Sequence, residues 1–201
     1  MAWDTDATRR RIREAATAEF AAFGPDGTTM TAIATRAGVN KERIYNYFGD
    51  KRAFYELILA EELAGLAETV TPPGSGLEDI GEFAGRTFDY YCAHPELARL
   101  LLWEGLGGEP IVDEENRRTI YATKVKQVAK ATQDGVLTSE LPADHLVFFV
   151  ISITASWFYV PQLAYMLSGT GTDSAKERAR QRASVVIAAS RLALSPTVPE
   201  H

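Results

Sequence analysis

Between Ala37 and Lys51 the chain reads "AGVNKERIYNYFGDK", which crowds Lys41, Arg43 and Lys51 beside Tyr45, Tyr47 and Phe48. Ammonium and guanidinium groups bind phosphate oxygens, and phenol hydroxyls hold a sugar–phosphate backbone. An arginine fork or an asparagine amide can read base edges. This is the chemistry of nucleic-acid recognition. Bond-breaking chemistry finds no comparable constellation. His94, His145 and His201 stand in no H-E-x-x-H or C-x-x-C arrangement, so no metal site is expected. "GPDGTT" and "GLGGEP" lack the P-loop Lys-Ser/Thr and the G-x-G-x-x-G pattern, and no G-x-S-x-G elbow occurs. Cys92 reads as a core cysteine. Asp113-Glu114-Glu115 reads as a solvated first helical turn, where acids suit the helix dipole. No catalytic residue and no cofactor are expected, and the protein is not expected to be an enzyme.

Charge is distributed to match that chemistry. The whole chain carries a net −6, which argues against a generally basic nucleic-acid binder. Residues 8–52, however, hold nine Lys/Arg against five Asp/Glu, a net +4, while the remainder holds twelve against twenty-two. A basic amino-terminal module on an acidic body is the asymmetry expected when one end meets phosphate. Apolar residues make up 46%, enough for a real core, and a lone cysteine excludes an internal disulfide framework and fits a reducing cytosol. The amino terminus has no signal-peptide pattern. "HLVFFVISITASWFYVPQLAYML" could span a bilayer by length, but Pro161 and polar groups interrupt it and flanking Lys/Arg are missing. It is expected to be a core helix of a cytoplasmic protein, with no membrane partner.

The elements that must position the basic segment are all helical by period, with no strand alternation and no internal repeat. About nine helices are expected. The first, 7–23, places Ile12, Ala15, Ala16, Glu19, Phe20 and Phe23 on one stripe and stops at Gly24-Pro25. Thr31 is expected to cap a short helix closed by Gly38, and Asn40 to cap the next, 41–48, closed by Gly49. Asp50 caps a long helix, 51–69. Further helices follow at roughly 77–93, 95–106, 110–134, 142–168 and 174–194, the last with Asp173 as its cap. On a wheel of about 100° per residue, Ile44 and Phe48 form the buried stripe of the third helix, with Tyr45 and Tyr47 roughly 80° to either side. Glu42, Arg43 and Asn46 fill the exposed face. Lys41 and Asn40 lie at the positively polarised helix end, where an anion is favoured. Two short helices joined by a tight glycine turn form a helix-turn-helix, here a head over residues 1–52 on a body over 53–201.

The segment "TTMTAIATRAGVNKERIYNYFGDKRAFYELIL" resembles the DNA-binding head of the TetR family of bacterial regulators. Thr31, Ile33, Ala34, Ala37, Gly38 and Val39 carry the approach, and Tyr45, Tyr47, Phe48 and Lys51 the exit. The match covers about residues 8–60. The resemblance implies a repressor on a double-stranded DNA operator of near-palindromic sequence. Its contacts would come from Thr31, Asn40, Lys41, Glu42, Arg43, Tyr45, Asn46, Tyr47 and Lys51. Family members often have Ser at the place of Asn40 and a small pair where Glu42-Arg43 stands. Asn is as good a cap. Glu42 can accept from a cytosine amine and Arg43 can grip guanine, so the departure points to an altered operator.

The body is rich in aromatics, and the 142–168 segment is apolar nearly all round, which requires burial on two sides. The resemblance implies a small-molecule effector inside the body and a homodimer through the last two long helices. A largely apolar effector is expected, with Trp103, Phe149 and Trp157 as wall residues. The competing class is an all-helical small-molecule-binding protein or enzyme whose head is merely structural, and it lacks a catalytic constellation.

Overall fold

Every regular element is a helix in the computed structural model, which describes residues 5–70, 73, 76–108, 110–169 and 174–194. Ten helices are seen among the described residues. The chain divides into two compact units, residues 1–65 with 95–113, and residues 66–94 with 114–201.

The first unit holds α1 (Thr5–Gly27), α2 (Met30–Ala37), α3 (Lys41–Phe48), most of α4 (Lys51–Thr69) and α6 (Pro95–Gly107). Its core is Ile12, Phe20, Ile33, Ile44, Phe54 and Ile58, each essentially without solvent contact. Phe48 stacks on Phe54 with ring centroids 4.3 Å apart, and Phe20 meets Phe54 and Tyr55 edge-on. This unit is larger than the expected head. The Tyr55 hydroxyl donates to the Leu100 carbonyl at 2.9 Å, and Arg99 Nε to the Ala21 carbonyl at 2.7 Å. These bonds join α4 and α1 to a helix that starts 43 residues beyond the expected boundary at 52. Backbone carbonyls that would otherwise lie buried find their donors there.

Two local expectations change. Phe23, placed on the buried stripe of α1, is 53% exposed, because Gly24 (φ 72°, ψ 172°) kinks the helix just beyond it. Thr31 does not cap α2. Thr29 does, accepting from the Ala32 N–H at 3.1 Å, because Met30 is already buried and helical. The Asn40 and Asp50 caps form as expected, accepting from Arg43 N–H at 3.1 Å and Ala53 N–H at 2.9 Å.

The second unit holds α5 (Leu77–Ala93), α7 (Glu114–Gln133), α8 (Ala143–Tyr159), α9 (Pro161–Ser168) and α10 (Ala175–Ala193). α5 packs closely on α10 because Gly81 and Gly85 face it. A Cβ on Gly85 would stand 2.9 Å from the Arg182 guanidinium, and one on Gly81 would collide with the Ser190 hydroxyl. α5 also packs on α8, and α8 on α7. The expected 142–168 helix is two helices. Val160 leaves the helical region (φ −128°, ψ 57°) ahead of Pro161, which cannot donate to the preceding turn, and the chain bends by 81°. Among the described residues no single helix is long and apolar enough to cross a membrane. α7 starts at Glu114 instead of 110. Ser174 caps α10, accepting from Glu177 N–H at 3.1 Å, whereas Asp173 lies outside the described residues, as do the first four and last seven.

Candidate nucleic-acid interface

The turn between α2 and α3 decides what α3 can present. Gly38 adopts φ 64°, ψ 40°, the left-handed conformation that a Cβ disfavours. Its N–H bonds to the Thr35 carbonyl at 3.2 Å and that of Val39 to the Ala34 carbonyl at 3.0 Å, the paired bonds of a Schellman end. Two residues later Asn40 opens α3. The three-residue turn is thereby fixed by backbone bonds on the α2 side and by the Asn40 side-chain cap on the α3 side.

α3 is pinned by Ile44 and Phe48, and everything else on it faces outward. Lys41, Glu42, Tyr45 and Asn46 are exposed, while Arg43 and Tyr47 are half-buried. Tyr45 is 46% exposed. Tyr47 packs edge-on against Phe48 and carries the Arg9 guanidinium 4.9 Å over its ring centroid. Arg9 therefore joins α3 from the first turns of α1, a residue the sequence motifs do not single out. Arg13 lies 5.5 Å over the Phe48 ring and meets Glu61 of α4 at 3.1 Å. Thr31 is exposed in the first turn of α2. Lys51 is half-buried, and its ammonium donates to the Thr28 carbonyl at 3.2 Å. That leaves two of its three N–H donors for an anion.

A support behind these residues is not evident from the sequence. Glu19, by period one position on an apolar stripe, is only 7% exposed and accepts from the Thr28 hydroxyl and from Arg36 Nε, each at 2.8 Å. It ties α1 to the α1–α2 connection and to α2. The signal is a charged residue on a buried stripe, which has to find partners.

The three aromatics expected on one effector wall are not alike. Trp103 belongs to the first unit, where its indole N–H donates to the Ala21 carbonyl at 3.2 Å and its ring covers Gly24. Phe149 and Trp157 belong to the second unit. Phe149 is 40% exposed beside Phe148 and His145, and Trp157 is half-buried. The buried rings of that unit are others, Phe83, Phe88, Tyr90 and Tyr91, with Phe158 and Tyr159 half-buried beside them. Tyr91 stacks on Phe158 at 5.2 Å and meets Tyr159 at 6.4 Å, and Phe88 lies 5.3 Å from Phe158.

Comparison with known proteins agrees with the arrangement. Residues 12–58 match the family model for bacterial regulatory proteins of the tetR family, and residues 79–191 match that for a tetracyclin repressor-like C-terminal domain. The HTH-type transcriptional repressor SCO4008 of Streptomyces coelicolor is 37% identical over 190 residues, covering 92% of this chain and 97% of that protein. The HTH-type transcriptional regulator RutR of Escherichia coli K12 is 26% identical over 178 residues, 83% of this chain and 82% of its own. In three dimensions the chain is similar to SCO4942 of S. coelicolor, a candidate transcriptional regulator. The TM-score is 0.78 at 28% identity, over 94% of this chain and 99% of that one. A helix-turn-helix with its outward face free of core duty, carried by a chain that both family models match, places the protein: it belongs to the TetR family of DNA-binding bacterial transcriptional regulators.

Proposed function

We propose that the protein is a repressor that leaves a near-palindromic operator when a small molecule binds its body. The observation that carries this is the outward face of α3. Lys41, Glu42, Tyr45 and Asn46 stand exposed around a stripe held by Ile44 and Phe48, on a turn fixed by Gly38. A rigid, capped helix of that kind enters the major groove with its amino-terminal residues toward base edges. Arg43 and Asn46 suit guanine and adenine, Glu42 suits a cytosine amine, and Thr31, Tyr45, Tyr47, Lys41 and Lys51 suit phosphates. Arg9 adds a cation on the Tyr47 side. DNA reading belongs to residues 1–52 in this view, and effector binding and dimerisation to residues 53–201.

The same reading makes the protein a homodimer acting in the cytoplasm, where the chromosome lies, with no catalytic step. Phe148 is 65% exposed on α8 and Ile187 52% on α10, and α9 exposes Leu163, Tyr165, Met166 and Leu167. Apolar side chains exposed on three helices of one unit are what a subunit interface covers. Two identical heads then require two half-sites about 34–36 Å apart on one face of the duplex. α4 is the natural lever for release, since it starts at Lys51 and continues unbroken through Gly65 to Thr69. A gel shift against the DNA flanking the gene tests the reading. Specific retardation that a small molecule abolishes supports it. Equal affinity for flanking and random DNA would overturn it.

A further inference from the structure

Lys124 lies on the buried face of α7 with Val128 and Ala131, and is 7% exposed. Its ammonium stands 5.8 Å from the ring centroid of Phe83 and 5.9 Å from that of Tyr121. Among the described residues, no carboxylate or carbonyl pairs with it. In the same unit the buried Thr87 hydroxyl is satisfied by the Phe83 carbonyl and that of Thr154 by the Val150 carbonyl, each at 2.8 Å. Ring faces offset only part of the cost of desolvating an ammonium. A methionine of similar length would fill the place without that cost. The chain therefore keeps, beside two aromatic rings, a cation that no acid among the described residues neutralises.

The acids that could neutralise it are engaged elsewhere or exposed. On α5, Glu82 and Asp89 pair with Arg182 of α10 at 3.2 and 2.7 Å, and Asp79 accepts from the Gly76 N–H at 2.9 Å. On α7, Glu114 pairs with Arg118, and Glu115 is exposed, as are Glu78 of α5 and Asp144 of α8. The surroundings are instead rings and hydroxyls. Arg117 precedes Lys124 by two helical turns on the same side of α7. It lies close enough to Tyr91 to act on that hydroxyl electrostatically. Burial, then Tyr159, to which it is also hydrogen-bonded, push the Tyr91 hydroxyl far above its ordinary range, so it stays protonated at any working pH. A cation set among aromatic faces complements one kind of guest.

We propose that the second unit binds an organic anion, a carboxylate on an apolar ring-bearing body, with the Lys124 ammonium as its counter-ion. The proposal rests on the effector reading above and narrows the effector's chemistry. Lys124 then gains in the complex the partner it lacks in the free protein, and the rings of Phe83 and Tyr121 receive the apolar part.

Calorimetric titration of the full-length protein tests this with three sets of probes. They are benzoate, 2-naphthoate and 9-anthroate, the corresponding carboxamides, and the corresponding aminomethyl cations. In the wild type a carboxylate should bind roughly 10–100-fold more tightly than its amide, the range for hydrogen bonds to charged groups. Lys124→Met should erase that preference, lowering carboxylate affinity far more than amide affinity, and Lys124→Arg should preserve it. Circular dichroism melts of both variants verify folding, and residual amide binding shows that the ring-bearing part of the probe is still received. Equal binding of carboxylate and amide by the wild type overturns the anion inference and leaves the effector reading standing. So does a preference that survives in Lys124→Met, or tighter binding of the cations. Silence from all three sets overturns the inference and, with it, the reading of an aromatic-lined effector site.

Discussion

Glu19 on α1 and Arg36 on α2 are joined by a 2.8 Å bond between carboxylate and Nε, while the second carboxylate oxygen accepts from the Thr28 hydroxyl. Arg36 is half exposed, so its share is small. Thr28 is 3% exposed, so losing its acceptor leaves a buried donor unpaired. Glu19→Ala should cost about 1–3 kcal/mol, and Glu19→Gln less, because an amide oxygen can still accept from Thr28. Thermal melts should show the alanine variant lower by about 2–4 °C per kcal/mol for a chain of this size. Equal melting of the two variants would assign the position to packing.

Arg43 and Lys51 should fail differently. Arg43→Ala should relax base preference and cost about 1–3 kcal/mol for each base that the guanidinium reads. Lys51→Ala should weaken binding to all sequences and reduce the salt slope by about one phosphate per head. It should also melt earlier, because the Thr28 carbonyl loses the donor it has at 3.2 Å. Equal losses by both variants on specific and random DNA contradict the division of roles.

Tyr45→Phe and Tyr47→Phe should fold normally and bind DNA less well, since only the hydroxyls are removed. The Tyr47 ring holds Arg9 at 4.9 Å, so Tyr47→Ala should lose more affinity than Tyr47→Phe. Gel shifts with both Phe variants at wild-type affinity would reduce these residues to packing.

Lys124 makes a pH prediction. Burial lowers its pKa from 10.5 in the free side chain, so the unfolded chain binds its proton more strongly than the folded one. Stability therefore rises with pH wherever the unfolded state holds more protons, here from the lowered folded value up to 10.5. Below that window the cost of partly desolvating the ammonium is present in full. Lys124→Met should melt above the wild type at pH 7, and the gap should narrow as pH approaches the upper limit. A gap independent of pH shows that the ammonium is solvated.

Light scattering at micromolar concentration should return about twice the 22.1 kDa chain mass. Phe148→Asp on α8 or Ile187→Asp on α10 should shift the equilibrium to monomer and abolish cooperative operator binding, since each introduces a charge into exposed apolar surface. A wild-type mass near that of one chain removes the dimer.

The helix-turn-helix is legible in the sequence because its determinants are local. Gly38 and the Asn40 and Asp50 caps act within four residues, and Ile44 and Phe48 are one turn apart, so period and cap chemistry fix the α3 face without help from afar. Pro161 is visible in the sequence but does not by itself announce a break, since an apolar run looks the same straight or bent by 81°. What only the tertiary structure decided depends on partners distant in the chain. The Tyr55 hydroxyl finds Leu100, Glu19 finds Thr28 and Arg36, and Trp103 finds Ala21. Buried polar atoms must be paired, but their partners are chosen by packing, which periodicity does not encode. Lys124 is the sharpest case. Its sequence neighbours suggest an ordinary solvated helix face, and only the placement of Phe83 and Tyr121 around it shows a buried cation.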